Sequence, residues 1–214
     1  MLIIGAGGLA KDLLNVITEF RDEVPFAFYD DISESSTLDL LRYHRIIRSQ
    51  VEAAAYFRAS DHRFILGIGK PHLRKTMFDI FEGLGGQLTS LISPRAVVGS
   101  FNLLLEEGCT ILPLSVVSNA SRIGRGCLVH HRAVVSHDCD VGEFCELSPG
   151  ATLLGHVTIG DLTHIGANAT IIPGIRIGSG CMIGAGSVVN HDVPDGKIVA
   201  GNPARAISKI NKDA

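Results

Sequence analysis

Residues 123–188 divide without remainder into eleven blocks of six: IGRGCL, VHHRAV, VSHDCD, VGEFCE, LSPGAT, LLGHVT, IGDLTH, IGANAT, IIPGIR, IGSGCM and IGAGSV. Every block opens on Ile, Leu or Val. The register extends outward to Leu105, Ile111 and Val117 on one side and Val189 on the other, fifteen positions without an insertion. Four residues after each aliphatic runs a column of mostly small or β-branched residues, and all five cysteines (Cys109, Cys127, Cys139, Cys145, Cys181) fall in it. A third regularity has period eighteen: Gly124, Gly142, Gly160 and Gly178, with Gly166 and Gly184 beside them. Helices repeat every 3.6 residues and strands every two, so a period of six within eighteen means a triangular coil. Each face carries one short strand, and coils stack as parallel strands about 4.8 Å apart. Residues eighteen apart then lie above one another, and the fifteen hexads make five coils about 24 Å tall. The glycines are expected at corners of positive φ, and the cysteines as small buried residues.

The residues before this repeat have another texture. Met1–Ile4 reads as a buried strand running into Gly5-Ala6-Gly7-Gly8, and Leu9–Phe20 has helical apolar spacing at Leu9, Leu13, Leu14 and Ile17. Phe26–Tyr29 is a second strand ending in Asp30-Asp31, and residues 37–60 hold a short strand and a helix. Phe64–Ile68 is a strand closed by Gly67-Ile68-Gly69, and Leu73–Phe81 is a helix. Alternating strands and helices imply a parallel sheet. The chain thus divides into residues 1–90, a β-helix over 91–194 and a C-terminal tail over 195–214.

Composition removes several classes. Nineteen Lys and Arg against 22 Asp and Glu give a net charge of −3, so there is no basic surplus for nucleic acid. No stretch approaches the roughly 20 apolar residues of a membrane span. Residues 1–4 lack the basic leader and long apolar run of a secretory signal, and five cysteines without a CxxC pair fit reduced thiols. A soluble cytoplasmic protein is the expectation.

The hexads resemble the left-handed parallel β-helix of the hexapeptide-repeat acyltransferases. The segment Asp192-Val193-Pro194-Asp195-Gly196 through Gly201-Asn202-Pro203-Ala204-Arg205 looks like that superfamily's closing segment. A Gly-rich βα domain joined to such a helix is similar to the NeuD/PglD-like sugar acetyltransferases. The matching pieces are Gly5–Gly8, Phe28–Asp31, Gly67–Gly69 with Leu73–Lys75, and Val135-Ser136-His137-Asp138-Cys139 with Val141–Phe144. Two departures stand out: the family often carries His where this chain has Leu9 and where it has Glu146. The resemblance implies a Rossmann-like half domain binding a nucleotide-linked sugar, acetyl-CoA as cosubstrate, and a homotrimer whose helices bind CoA between neighbours. The implied activity is acetyl transfer to a sugar amine, or to a hydroxyl as in sialic acid O-acetylation. A non-catalytic sugar-nucleotide-binding trimer is the rival from another class.

Acyl transfer from a thioester needs a base near neutral pKa, and histidine suits it. His137 lies two residues after inward-facing Val135, so it projects near a corner, and Asp138 can accept a hydrogen bond from its ring. By resemblance His137 is the base and Asp138 its helper. Separately, His130 and His131 are candidates for lining the subunit interface. The amides of Gly5, Gly7 and Gly8 at a helix start can receive diphosphate, while Asp30, Asp31 and Gly69 close neighbouring strands. The Asp30 spacing also fits NAD, but ninety residues are short for a full dinucleotide fold. Lys70 and Arg74 either neutralise phosphate or form a solvated face. By resemblance CoA meets Glu146, Gly155, Gly166-Ala167 and Gly184-Ala185, with Arg205 and Lys209 near its phosphates. His137 and His191 are three coils, about 14 Å, apart, too far to share zinc. No metal is expected, although a zinc site across subunits stays open. His164 stacks over Glu146 as a polar pair.

Overall fold

The computed structural model describes residues 1–19, 25–33 and 44–207. Phe20, the start of the 37–60 segment, Lys209 and the end of the tail lie outside the described residues. Backbone contacts divide the chain into two units, Met1–Leu91 and Ile92–Ala214. No described helix is long and apolar enough to cross a membrane.

The first unit is a parallel sheet of β1 (Leu2–Ile4), β2 (Ala27–Tyr29), β3 (Ile46–Ile47), β4 (Arg63–Leu66) and β5 (Gln87–Leu88), in the order β3-β2-β1-β4-β5. Helices α1 (Gly8–Glu19), α2 (Gln50–Ala59) and α3 (Pro71–Gly83) connect the strands. Strands β1 and β4 are buried almost throughout, as expected of strands covered on both faces. Helix α1 buries Ala10, Leu13, Val16 and Ile17 against them. The strand order reverses beside β1, and there the carboxyl ends of β1 and β4 open a crevice. Gly5, at φ +102°, makes the turn out of β1, where a side chain would meet the Gly67 carbonyl at 2.9 Å.

The second unit is a triangular parallel β-helix with strands of two residues every six. The first face carries outward Val116, Val134, Thr152, Thr170 and Val188; the second, Leu104, Arg122, Asp140, Thr158 and Arg176; the third, Thr110, Leu128, Glu146, His164 and Met182. The aliphatic column from Ile111 to Val189 fills the interior. The helix begins earlier than the uninterrupted hexads: Leu91–Ile92 and Val97–Val98 are its first strands, and one extra residue between 98 and 105 interrupts the register. At the other end Ile198–Gly201 pairs in parallel with Met182–Ile183 and extends the third face, and Ala204–Ala206 turns back antiparallel upon it.

The corners correct the reading of the glycines. Positive φ falls two residues later, at positions 102, 108, 114 and so on to 186, and nine of these fifteen residues are not glycine. They include Leu114, Arg132, Asp138, Phe144 and His156. The periodic glycines serve packing instead. A Cβ on Gly124 would stand 2.6 Å from Gly142 C, one on Gly160 2.5 Å from Ser179 N, and one on Gly166 2.5 Å from Ile183 O. Each lies under the backbone of the next coil. Three corners carry proline one residue before the positive-φ position (Pro113, Pro149, Pro173), where no amide is lost to the ladder.

The cysteine column does more than fill space. Cys127 Sγ accepts from Cys145 N at 3.3 Å and donates to Gly142 O at 2.9 Å, and Cys145 Sγ donates to Gly160 O at 3.1 Å. Thr163 continues the column, donating to Gly178 O at 2.7 Å and accepting from Cys181 N at 3.0 Å. A short side chain with one polar hydrogen joins coil to coil at the interior corner. Burial pushes the Cys139 and Cys181 thiols up, away from the thiolate that nucleophilic catalysis needs.

Candidate active site

Two groups of residues qualify, one in each unit. In the first, Gly5, Gly7, Gly8, Asp30, Asp31 and Gly69 all line one cavity of about 370 Å³ at the crevice beside β1. Nothing stands within 4 Å of where a Cβ on Gly7 or Gly8 would sit, so the backbone at the start of α1 is bare toward that space. Free amides at a helix N-terminus suit phosphate oxygens. Leu9, expected in the apolar stripe of α1, lines the cavity instead.

The two aspartates are already engaged. Asp30 accepts from Ile32 N at 3.1 Å, Ser33 N at 2.7 Å and Ser33 Oγ at 3.0 Å. Its burial alone would raise its pKa, but the hydrogen bonds from Ser33, Ile32 and Ala6 outweigh this and hold it below the usual carboxylate range. Asp31 Oδ2 accepts from Tyr29 OH at 2.8 Å. Burial and the neighbouring Asp31 together push the Tyr29 phenol well up, so it stays a donor.

Arg74 corrects a second expectation. It is fully buried, and its Nη1 donates to Leu66 O at 2.9 Å and Ile68 O at 2.6 Å. Its guanidinium is a brace beneath the Gly67–Gly69 loop, neither a solvated charge nor a phosphate ligand. Lys70 is exposed at the N-cap of α3.

In the second unit, His137 and Asp138 sit at the corner between the first and second faces. Asp138 has φ +59°, and its Oδ2 lies 2.7 Å from His137 Nδ1. The imidazole is 62 % exposed, so Nε2 is open to a substrate. One coil on, Gly155 lies beneath the ring: a Cβ there would stand 2.7 Å from His137 Cε1. His156, beside Gly155, has its Nε2 3.8 Å from the same Asp138 oxygen. Sequence reading missed His156 as part of this group. The eighteen-residue spacing from Asp138 was the signal that places it there. His137, Asp138 and His156 are also the one group among the described residues with donor atoms close enough to share a metal ion, all within 4.8 Å.

The other expected cosubstrate residues lie elsewhere on the prism. Glu146 points outward from the third face, opposite the His137 corner. It lies 3.3 Å from His130 Nε2 and 3.9 Å from His164 Nε2, and His164 Nε2 also meets Ser148 Oγ at 2.8 Å. The amides of Gly166 and Gly184 are spent on Ile183 O and Val199 O, both at 2.8 Å. Ala167 and Ala185, at the corner between the third and first faces, have amides that donate to no described group. Arg205 lines a separate cavity of about 190 Å³ with His191, Asp192 and Lys197. One copy of the helix therefore does not bring His137 together with Glu146, Ala167 and Ala185.

The families described as PglD N-terminal domain and bacterial transferase hexapeptide (six repeats) match residues 1–81 and 156–191. The acetyltransferase domain of PglB from Neisseria gonorrhoeae, solved with acetyl coenzyme A, is 30% identical, with a TM-score of 0.85 over 96% of this chain and 98% of that one. The chain belongs to the PglD-like sugar acetyltransferases. Perosamine N-acetyltransferase from Caulobacter crescentus, solved with CoA and GDP-perosamine, matches this PglD-like chain at 28% identity and a TM-score of 0.87, covering 97% of this chain and 96% of that one. WeeI from Acinetobacter baumannii matches at 26% and 0.87, covering 96% and 98%. A search of curated proteins returned no match. The PglD-like chain is an acyltransferase built from a Rossmann-like unit and a left-handed parallel β-helix.

Proposed function

We propose that the chain transfers acetyl from acetyl-CoA to the amino group of a nucleotide-linked amino sugar, with His137 as general base. The observation that carries this reading is the 2.7 Å contact between His137 Nδ1 and Asp138 at an open corner. With Nδ1–H donated to the carboxylate, Nε2 is left as the acceptor. It takes a proton from the sugar amine as the nitrogen attacks the thioester carbonyl. The tetrahedral intermediate collapses, the C–S bond breaks, and the imidazolium returns its proton to the departing thiolate. No acyl-enzyme forms, which agrees with thiols that are buried.

The cavity bounded by Gly7, Gly8, Asp30 and Gly69 takes the nucleotide diphosphate on the start of α1, with Arg74 bracing the loop opposite. Acetyl-CoA lies along the helix against Gly155, Ala167 and Ala185. Because Gly155 lies at one edge of the prism, Ala167 and Ala185 at another and Glu146 on the third face, the acetyl site is built between copies, the His137 edge of one against the Ala185 edge of the next. Cyclic closure of three chains satisfies every such contact. The outward Val116, Val134 and Val188 of the first face give the copies an apolar strip to bury. A cytoplasmic location, where acetyl-CoA is available, fits this reading.

The test is CoA release from acetyl-CoA in the presence of UDP-, dTDP- and GDP-linked amino sugars, with the corresponding unaminated sugars as controls. We expect release with at least one amino sugar and a product heavier by one acetyl group. His137→Ala lowers kcat by about 10²–10⁴-fold, the usual worth of a general base, and Asp138→Asn costs less. Transfer to the unaminated sugars at an equal rate overturns N-acetylation. Near-normal turnover in folded His137→Ala removes it as the base.

A further inference from the structure

His156 is the group at this corner that the reading above leaves without a task. It stands eighteen residues after Asp138, directly over it in the next coil, and both have positive φ. Nine non-glycine residues share that conformation here, so it is not itself a sign of function. The side chain's surroundings are more telling. The His156 ring stands edge-on to His137, at 86° and 5.4 Å between centroids. Its Nε2 is 3.8 Å from Asp138 Oδ2, the oxygen that already faces His137 Nδ1. Its backbone amide donates to the His137 carbonyl at 3.1 Å.

Two exposed side chains held by one mutual hydrogen bond are poorly fixed, because each keeps rotamer freedom that the bond must overcome. His137 and Asp138 are 62 % and 43 % exposed, so burial does little to hold them. Gly155 gives the His137 ring a floor. The second group facing the Asp138 carboxylate is the His156 imidazole, whose Nε2 stands 3.8 Å from Oδ2, a gap that a small rotation or one water would close.

We propose that His156 is a positioning residue for this acetyl transfer: it tethers the Asp138 carboxylate so that His137 keeps its Nδ1–H tautomer and its Nε2 stays aimed at the acceptor. The proposal rests on His137 acting as base. It requires that His156 work through Asp138 and not through substrate. A Gln can make the same tether; a Phe keeps the ring contact and cannot.

The experiment is steady-state kinetics on full-length His156→Ala, His156→Gln and His156→Phe, with His156→Ala also made in an Asp138→Asn background. His156→Ala should lower kcat about tenfold with little change in either KM, a coupling of the size neighbouring groups show. His156→Gln should restore most of the loss and His156→Phe should not. In the Asp138→Asn background the same substitution should cost less than about twofold, because the carboxylate it served is gone. Equal losses in both backgrounds, a loss confined to KM, or wild-type kcat in His156→Ala would each overturn the tether. His137→Ala run alongside separates the two claims. If it stays active, the base assignment falls; if it is inactive while His156→Ala behaves as wild type, only the tether falls.

Discussion

The His137 ring lies where the chain has no side chain beneath it, and that makes Gly155 a sharp test of geometry. A methyl there would come within 2.7 Å of Cε1, and the atom that must move is the end of a side chain, not backbone. Gly155→Ala should therefore cost the fold little and the site much. We expect a change in unfolding free energy of under about 1 kcal/mol, with kcat down roughly 10–10²-fold, since small misplacements of a reacting group are expensive. Equilibrium denaturation and initial rates on one preparation check both halves. The pair His137–Asp138 is legible in the sequence because a corner residue two after an inward aliphatic must project. His156 carries no such local mark, and only the eighteen-residue spacing that stacks it over Asp138 points to this group.

At the scale of the element, the period of six is written plainly because the interior accepts only Leu, Ile or Val at each face. The positive-φ column leaves no such trace: Leu114, Phe144 and Asn168 all occupy it, and the coil-to-coil ladder holds them there. The regular glycines belong to another demand, the close approach of stacked backbones. Gly142→Ala would bring a Cβ to 2.7 Å from Asp161 N, and we expect destabilisation exceeding the roughly 1 kcal/mol by which Ala usually differs from Gly, read by thermal or urea unfolding. The cysteine column makes a complementary prediction. Cys145→Ala leaves Gly160 O without its donor and should cost about 1–3 kcal/mol, whereas Cys145→Ser keeps a donor and should cost less. Equal losses for the two would show that the thiol only fills space.

Across the whole molecule, the proposed reaction assigns the sugar nucleotide to the first unit and acetyl-CoA to the second. In the first, the glycine loops and strand-end aspartates are readable from their place after strands, while the burial of Arg74 is not, because on α3 it looks like one of several surface cations. Arg74→Met should release the Leu66 and Ile68 carbonyls, raising KM for the sugar nucleotide while KM for acetyl-CoA holds. Parallel titrations of the two substrates check this. In the second unit, the proposed reaction has His137 of one copy act on a thioester held against the edge of the next. The most direct measurement mixes two inactive chains. His137→Ala lacks the base, and Ala185→Trp blocks the cosubstrate edge at an exposed position. Co-refolded in equal amounts and verified as mixed oligomers by native mass spectrometry, they should recover about one quarter of wild-type turnover, the fraction of interfaces that pair an intact base with an intact edge. Mixed oligomers that stay as inactive as the two parents would contradict a site shared between copies.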